Sequence, residues 1–123
     1  MAQSFRDLVM WQRSMQLTVT IYRLTKDFPR DELYGLTSQI RRAAVSQPSN
    51  IAEGHGRLNS GEFKQFLGVA RGSNSELQTH LEIARALGMG NPVLLNEAES
   101  LAREVGRMIY ATLHSLRRRA AVN

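Results

Sequence analysis

Three histidines, His55, His80 and His114, are the side chains in this sequence best suited to bind a metal or transfer a proton. They fall on different segments of the chain, and no metal-ligand spacing joins them. Di-metal four-helix proteins use Glu-x-x-His pairs that project into the core. Here Glu76 precedes His80 by four residues, Glu53 precedes His55 by two, and no second pair exists. The spacing therefore predicts no metal site.

The remaining residues also give no support for nucleophilic catalysis or for cofactor binding. Ser46, Ser49 and Ser73 have no base near them in the sequence and no nucleophile elbow around them. Gly54 and Gly56 follow no predicted strand, so they do not form a dinucleotide-binding fingerprint. The chain has no Cys, which excludes thiolate chemistry and disulfides and suits the cytoplasm. We therefore expect a cytoplasmic, non-catalytic protein without a cofactor.

Positive charge is the main functional feature of the sequence. Sixteen Lys and Arg residues stand against 11 Asp and Glu residues, which gives a formal net charge of +5. An excess of cations favours binding to a polyanion such as nucleic acid. We predict that contacts to an RNA or DNA backbone come from ten basic residues: Arg41, Arg42, Arg57, Lys64, Arg71, Arg103, Arg107, Arg117, Arg118 and Arg119.

Structural ion pairs are the alternative role for these cations, and the sequence leaves both roles open. The carboxylates that would pair with them across helices or subunits are Glu53, Glu62, Glu76 and Glu82. Aromatic residues able to stack on bases are expected on the core faces of the helices: Trp11, Tyr22 and Phe66. Any nucleic-acid contact is therefore predicted to use the backbone and to be weakly sequence-specific.

Hydrophobic periodicity predicts that four helices, joined by short loops, carry these residues. We expect the helices over about 4–26, 31–54, 60–87 and 92–118, with Leu36 as the alternative start of the second helix. This pattern predicts an all-α, up-down-up-down antiparallel four-helix bundle that forms a single domain over the whole sequence, residues 1–123. No run of about 18 apolar residues is present to span a membrane.

Two prolines predict local features of these helices. Asn91 followed by Pro92 is typical of a helix start, where Asn caps and Pro takes the first helical position. Pro48 lies inside the second helix, where it lacks a backbone donor and should kink the chain. The freed backbone group is expected to bond a polar side chain close by, from Ser46, Ser49 or Asn50.

Two helices are more apolar than a lone four-helix bundle requires. The apolar arc of the first helix covers about 220°, well beyond the roughly 100° that a surface helix needs. The outer face of the third helix carries glycines, each of which costs about 1 kcal/mol relative to Ala in a helix interior. A poorly optimised exposed face is the alternative to a packed one. We predict a homo-oligomer whose interface includes Leu17, Ile21, Gly68, Gly72, Thr79 and Ile83.

The segment 34–57, YGLTSQIRRAAVSQPSNIAEGHGR, resembles the signature of a bacterial family of four-helix-bundle proteins. Segments 5–15, 27–35 and 61–77 are similar to other motifs of that family, in the same order. These proteins were named for reading frames inside 23S ribosomal RNA intervening sequences. The chain departs from the family pattern at two positions, where an aliphatic residue and a Leu are usual: Gln47 and Asn74.

The resemblance implies a homopentamer of four-helix bundles, arranged as a closed ring. Accessory proteins of diversity-generating retroelements are more distant relatives and are associated with reverse transcriptase and nucleic acid. The implied partners are therefore RNA or DNA and a reverse transcriptase or another nucleic-acid enzyme. Together with the charge, the resemblance favours a non-catalytic nucleic-acid-binding or scaffold protein. A protein-protein interaction scaffold whose charge only maintains solubility is the alternative.

Overall fold

The computed structural model describes residues 4–122, with side chains through Arg119. Over this range the regular structure is helical, without a β-strand, which confirms the predicted all-α class and its four main helices. The four α-helices are α1 (Val9–Thr25), α2 (Ser38–Gly56), α3 (Ser60–Ala86) and α4 (Pro92–Val122). Shorter helical pieces are the 3-10 turns Phe5–Asp7 and Arg30–Glu32 and the π-helical segment Leu33–Thr37.

The core lies where the apolar faces of the four helices meet. α2 and α4 each pack against both α1 and α3, so α1 is covered from two sides. Its fully buried side chains include Leu17 and Ile21, which face Ile40, Leu77 and Ile109 across a shared core. The prediction that Leu17 and Ile21 lie at an oligomer interface is wrong, because both are completely covered within one chain. The wide apolar arc of the first helix needs no second subunit.

The helix ends depart from the predicted bounds at three places. Ser4 accepts a hydrogen bond from the backbone N of Arg6 at 3.2 Å, but it caps a 3-10 turn, and α1 begins only after the extended residue Leu8. The predicted second helix is interrupted at Gly35, whose φ of −111° and ψ of −114° are not helical. α4 continues to Val122, beyond its predicted end.

Asparagine side chains cap α3 and α4. Asn59 Oδ1 accepts the backbone N–H of Glu62 at 3.1 Å. Asn91 Oδ1 accepts the backbone N–H groups of Val93 and Leu94 at 2.8 and 3.2 Å, which is the helix start that the Asn-Pro sequence predicts. Both caps satisfy donors that a helix N-terminus leaves without an intrahelical partner.

Pro48 is accommodated inside α2 by a side chain from α1. Because Pro has no N–H, the Ala44 carbonyl loses its usual helical donor four residues ahead. The Thr18 hydroxyl on α1 lies 3.2 Å from this carbonyl oxygen and 2.8 Å from the Ser14 carbonyl. Asn50, two residues after the proline, instead donates from its Nδ2 to the Ser46 carbonyl of its own helix at 2.7 Å. The donor nearest the Ala44 carbonyl is therefore a hydroxyl of the neighbouring helix, which shares its one hydrogen with the Ser14 carbonyl, and not a polar residue that flanks Pro48.

A buried hydrogen-bond network joins α2, α3 and α4 through the two residues that depart from the family pattern. Asn74 Nδ2 donates to Gln47 Oε1 and to the Ala102 carbonyl, both at 2.9 Å. Gln78 Nε2 donates in turn to Asn74 Oδ1 at 2.7 Å. Gln47 is completely buried and Asn74 nearly so. Each departure supplies the partner that the other needs, since a buried polar group without one costs about 1–3 kcal/mol.

Candidate nucleic-acid interface

An open groove between α3 and α4 brings together half of the predicted basic residues. It consists of two adjoining hollows of about 620 and 390 Å³ that share Arg71 and Ser75. We define this α3/α4 groove by its lining residues: Lys64, Gly68, Arg71, Gly72, Asn74, Ser75, Gln78, Arg103, Gly106, Arg107, Tyr110, Leu113 and Arg117. Five of these residues are cations, and none is acidic.

Helical spacing arranges the cations in two rows along the α3/α4 groove. On α3, Lys64 and Arg71 are seven residues apart, which is close to two turns of an α-helix. On α4, Arg103 and Arg107 are four residues apart, which is close to one turn. Because neighbouring helices carry the two rows, positive charge lines the groove from both sides.

The floor of the α3/α4 groove is small and polar. A Cβ on Gly106 would lie 2.7 Å from Asn74 Oδ1, so a larger residue at this position would require the helices or the amide to shift. Asn74 is itself fixed by hydrogen bonds to Gln47 Oε1 and the Ala102 carbonyl. The buried amide network therefore sets the depth and the shape of the groove.

Tyr110 gives the α3/α4 groove an aromatic wall, and its side chain is 50% exposed. The Arg71 guanidinium lies 4.9 Å from the Tyr110 ring centroid, within the range of a cation–π interaction. The His114 ring stacks on the same tyrosine at a centroid distance of 6.2 Å. The sequence contains the signal for this wall, because Tyr110 follows Arg107 by three residues and precedes His114 by four on one helix face.

Most cations of the α3/α4 groove are free of a neutralising carboxylate. Within residues 4–119, four of them have no Asp or Glu oxygen inside 4.0 Å: Lys64, Arg71, Arg107 and Arg117. The fifth, Arg103, lies 3.9 Å from Glu99, but Arg85 holds that carboxylate more closely at 3.0 Å. Unpaired cations along a groove focus positive potential and attract anionic ligands.

Three further predicted contact residues lie outside this groove. Arg57 is paired with Glu53 at 2.8 Å, and its guanidinium lies 5.2 Å from the Phe66 ring centroid. Arg57 therefore forms an ion pair, but with a residue four positions earlier at the end of α2 and not across helices or subunits. Arg118 and Arg119 are exposed near the end of α4, next to the cation that closes the α3/α4 groove.

The remaining two predicted cations lie in a second open groove, of about 590 Å³, between α1 and the start of α2. We define this α1/α2 groove by its lining residues: Tyr22, Leu33, Tyr34, Thr37, Ser38, Arg41, Arg42, Val45 and Ser46. The prediction that Tyr22 lies on a core face is wrong, because its side chain is 45% exposed. Tyr34 is 94% exposed. Tyrosines thus accompany cations in both grooves.

The other residues predicted at an oligomer interface remain on the surface of the chain. Gly68 and Gly72 open onto the α3/α4 groove, and a Cβ on either would meet no atom within 4 Å. Thr79 is exposed, and Ile83 is 42% exposed. These four residues are accessible to a second copy of the chain, and their place in an interface stays a prediction.

The three histidines lie in separate environments. His55 contacts Phe63 edge-on, His80 is buried with its Nδ1 atom lacking a partner among the described residues, and His114 stacks on Tyr110. The part of the chain that the structure describes contains no group of three His, Asp or Glu residues able to hold a metal ion. Across residues 4–122, no helix has the length and apolar character needed to cross a bilayer.

Comparison with known proteins supports a family assignment. The fold is similar to that of a Bacteroides thetaiotaomicron protein of unknown function from the S23 ribosomal protein family, with a TM-score of 0.75. The two sequences are 17% identical, and the match covers 85% of this chain and 97% of that chain, so it shows a shared fold alone. A comparison with curated proteins found no match. The family model of the 23S rRNA-intervening sequence protein matches residues 6–111. Since this match spans most of the sequence, the chain belongs to the 23S rRNA-intervening sequence protein family.

Proposed function

We propose that this protein is a non-catalytic nucleic-acid-binding protein whose α3/α4 groove contacts the sugar–phosphate backbone. The observation that carries the proposal is the set of five cations lining this groove without an acidic neighbour in the lining. Arg and Lys contacts to phosphates supply essentially all of the affinity in nonspecific nucleic-acid binding. Because phosphates are the same at every position, we expect weak sequence specificity.

A single strand suits this groove better than a duplex. Proteins that bind single strands combine a basic channel with aromatic faces on which bases stack. The half-exposed ring of Tyr110 lies 4.9 Å from the Arg71 guanidinium, so one position offers both a stacking face and a phosphate ligand. The proposed mode is therefore phosphate contact along the groove, with one base displacing the exposed His114 ring from Tyr110.

We further propose that the protein acts as a homo-oligomer, with a closed ring of five favoured by the family resemblance. We also propose the up-down-up-down order of the helices. Hydrogen bonds from Thr18 to Ala44 and from Arg41 to Thr25 support it, because they pair α1 and α2 in an antiparallel direction. In a ring the groove repeats once per subunit. One strand then meets several sets of cations, which raises its affinity through effective concentration.

The implied partner is an enzyme that works on nucleic acid in the cytoplasm, such as a reverse transcriptase. A basic protein that holds a single strand would present that strand to such an enzyme without carrying out chemistry itself. The competing function is a protein-interaction scaffold whose charge only keeps it in solution. The observation that favours this scaffold function is the apolar side chain of Leu58, which is 95% exposed.

The test is a fluorescence-anisotropy titration with a labelled single-stranded RNA of about 20 nucleotides, long enough to cover a typical single-strand site. We expect the wild-type protein to bind at about 50 mM salt and to release the strand as salt rises. The paired substitution Arg71→Glu with Arg107→Glu should weaken binding roughly 100-fold, because two phosphate ligands become repulsive.

The matched control is Arg23→Glu with Arg30→Glu. These two arginines are exposed and lie outside both grooves, and their reversal changes the net charge by the same amount. Equal losses from both pairs would mean that only net charge matters, which contradicts the groove. Undetectable binding by the wild-type protein at about 50 mM salt would instead favour the protein scaffold.

A further inference from the structure

The α1/α2 groove is built differently from a general basic surface, because its cations stand beside exposed tyrosine rings and hydroxyl groups. Tyr34 is 94% exposed and Tyr22 is 45% exposed. Ser38 and Ser46 add hydroxyls to the same lining. The groove has an open volume of about 590 Å³, and no acidic residue lines it. It therefore offers flat apolar faces, hydrogen-bonding groups and positive charge within one hollow.

Arg41 is held in place before any ligand arrives. Its Nε donates to Thr25 Oγ1 at 2.8 Å, and its guanidinium carbon lies 4.7 Å from the Tyr22 ring centroid. One of the five guanidinium N–H groups is thus used, which leaves the two terminal nitrogens for an anion. In residues 4–119 no carboxylate oxygen lies within 4.0 Å of Arg41 or Arg42. A partly buried, positioned and unpaired guanidinium favours an anionic partner.

Thr37 supplies a second, independent observation. Its side chain lines the α1/α2 groove and is only 3% exposed, yet its Oγ1 has no hydrogen-bond partner among residues 4–119. Buried hydroxyl groups in folded proteins are nearly always paired. A small rotation that turns the covered Oγ1 toward the groove would let a polar ligand group complete the hydrogen bonding of Thr37.

We infer that the α1/α2 groove binds a nucleoside phosphate, with its base stacked on Tyr34 and its phosphate held by Arg41 and Arg42. A purine or pyrimidine ring uses the exposed tyrosine face, and base–aromatic stacking tolerates any base. A phosphate matches the fork of Arg41 as a bidentate acceptor. An acidic peptide would satisfy the arginines but would leave the Tyr34 face unused.

This ligand chemistry has two sources, a free nucleotide and the phosphorylated end of a strand. Neither depends on the proposed role of the α3/α4 groove, since the two grooves share no lining residue. Failure of RNA binding in the α3/α4 groove and failure of nucleotide binding in the α1/α2 groove are therefore separate results.

The test is saturation-transfer difference NMR on the full chain with adenosine 5′-monophosphate, adenosine and ribose 5-phosphate. Inorganic phosphate has no carbon-bound protons, so its affinity is measured by its competition with adenosine monophosphate. We expect saturable adenosine monophosphate binding with a dissociation constant on the order of 1 mM. Adenosine and the two phosphates lacking a base should each bind at least about fivefold more weakly, because each omits the stacking or the ionic contact. A 5′-phosphorylated trinucleotide that binds tighter than the mononucleotide, and loses that advantage with Tyr34→Ala, identifies a strand end as the source, and equal binding identifies a free nucleotide.

Two exposed positions allow substitutions that spare the core. Tyr34→Ala and Arg42→Gln should each weaken adenosine monophosphate binding at least about fivefold, whereas Tyr34→Trp should retain it. Tyr110→Ala, in the other groove, is the matched control and should leave the mononucleotide unaffected. Far-UV circular dichroism checks the fold of each variant. Binding that is absent, that is equal for inorganic phosphate, or that survives Tyr34→Ala would overturn the inference, as would a second copy of the chain covering Tyr34.

Discussion

The α3/α4 groove and the α1/α2 groove both carry arginines and a tyrosine, but they hold their cations in different ways. In the α3/α4 groove five cations are spread along two helices, whereas the two cations of the α1/α2 groove are neighbours on one helix. In the α1/α2 groove Arg41 is fixed by Thr25 and by the Tyr22 ring. The first arrangement suits a long polyanion, and the second suits one small ligand. The same residue types therefore take different roles, depending on the residues that surround them.

The largest expected effect is a reciprocal loss of binding between the two grooves. Arg71→Glu with Arg107→Glu should lower the affinity for single-stranded RNA roughly 100-fold while leaving adenosine monophosphate binding within about twofold. Tyr34→Ala should do the reverse, because stacking of a single base contributes little to a strand held by many phosphates. Anisotropy with RNA and saturation-transfer NMR with the mononucleotide measure the two affinities. If each variant weakened both ligands equally, the distinction between the grooves would be lost.

The next largest effect concerns the amide network beneath the α3/α4 groove. Asn74→Leu removes the donor to Gln47 Oε1 and the acceptor of Gln78, so it should lower the free energy of unfolding by about 1–3 kcal/mol. Gln47→Leu should cost a similar amount for the same reason. The double variant should cost less than the sum of the two, because it removes the unpaired amide group that each single substitution leaves buried at the other position.

Urea denaturation followed by circular dichroism measures these free energies. The α1/α2 groove serves as an internal control, since adenosine monophosphate binding should be unchanged in every folded variant of the network. Strict additivity of the two single substitutions would contradict the direct coupling between Gln47 and Asn74.

A smaller effect is expected at the glycines that open onto the α3/α4 groove. Gly72→Leu should fold normally and gain up to about 1 kcal/mol of stability, because Leu is the better helix former and the site is open. It should also weaken RNA binding several-fold by narrowing the groove. Sedimentation of the variant separates two roles for this face. A lower mass than wild type would assign Gly72 to a subunit contact, and an unchanged mass would assign it to the groove alone.

The smallest effect is expected at Thr25, which positions Arg41 without lining the α1/α2 groove. Thr25→Val keeps the volume of the side chain and removes the oxygen that accepts from Arg41 Nε at 2.8 Å. We expect the mononucleotide affinity to fall about threefold and the stability to fall by about 1 kcal/mol, the usual net contribution of one hydrogen bond. RNA affinity should not change. A wild-type mononucleotide affinity in this variant would show that Arg41 needs no positioning.

The four helices follow from sequence because apolar periodicity and the Asn91 cap are local signals. The non-helical backbone at Gly35 does not, since the sequence leaves Asp31 and Leu36 as alternative starts of the second helix and gives no sign of a break between them. The direction in which Leu17 and Ile21 point also required the structure. Their apolar stripe on α1 is wider than a surface helix needs, but in the structure α2 and α4 cover it from two sides. Helix length and type are local properties, whereas coverage depends on how the helices pack.

The candidate site shows the same division between local and long-range information. All five cations of the α3/α4 groove can be named from the sequence, because Lys64 and Arg71 repeat along α3 and the others along α4. Their assembly into one groove, and the assignment of Arg41 to another, depend on which helices pack together. Tyr110 is missed when only aromatic residues expected on the core faces of the helices are considered for base stacking. The partnership of Gln47 with Asn74 joins positions 27 residues apart and has no local signature.

The central claim is that unpaired cations of the α3/α4 groove bind phosphates, and the salt dependence of RNA binding tests it most directly. The logarithm of the association constant should fall linearly with the logarithm of salt concentration, with about 0.7 of slope for each phosphate neutralised on a single strand. Arg71→Gln with Arg107→Gln removes two cations and should reduce the magnitude of that slope by about 1.4. The same slope in the variant and the wild type, or an affinity insensitive to salt, would contradict the account.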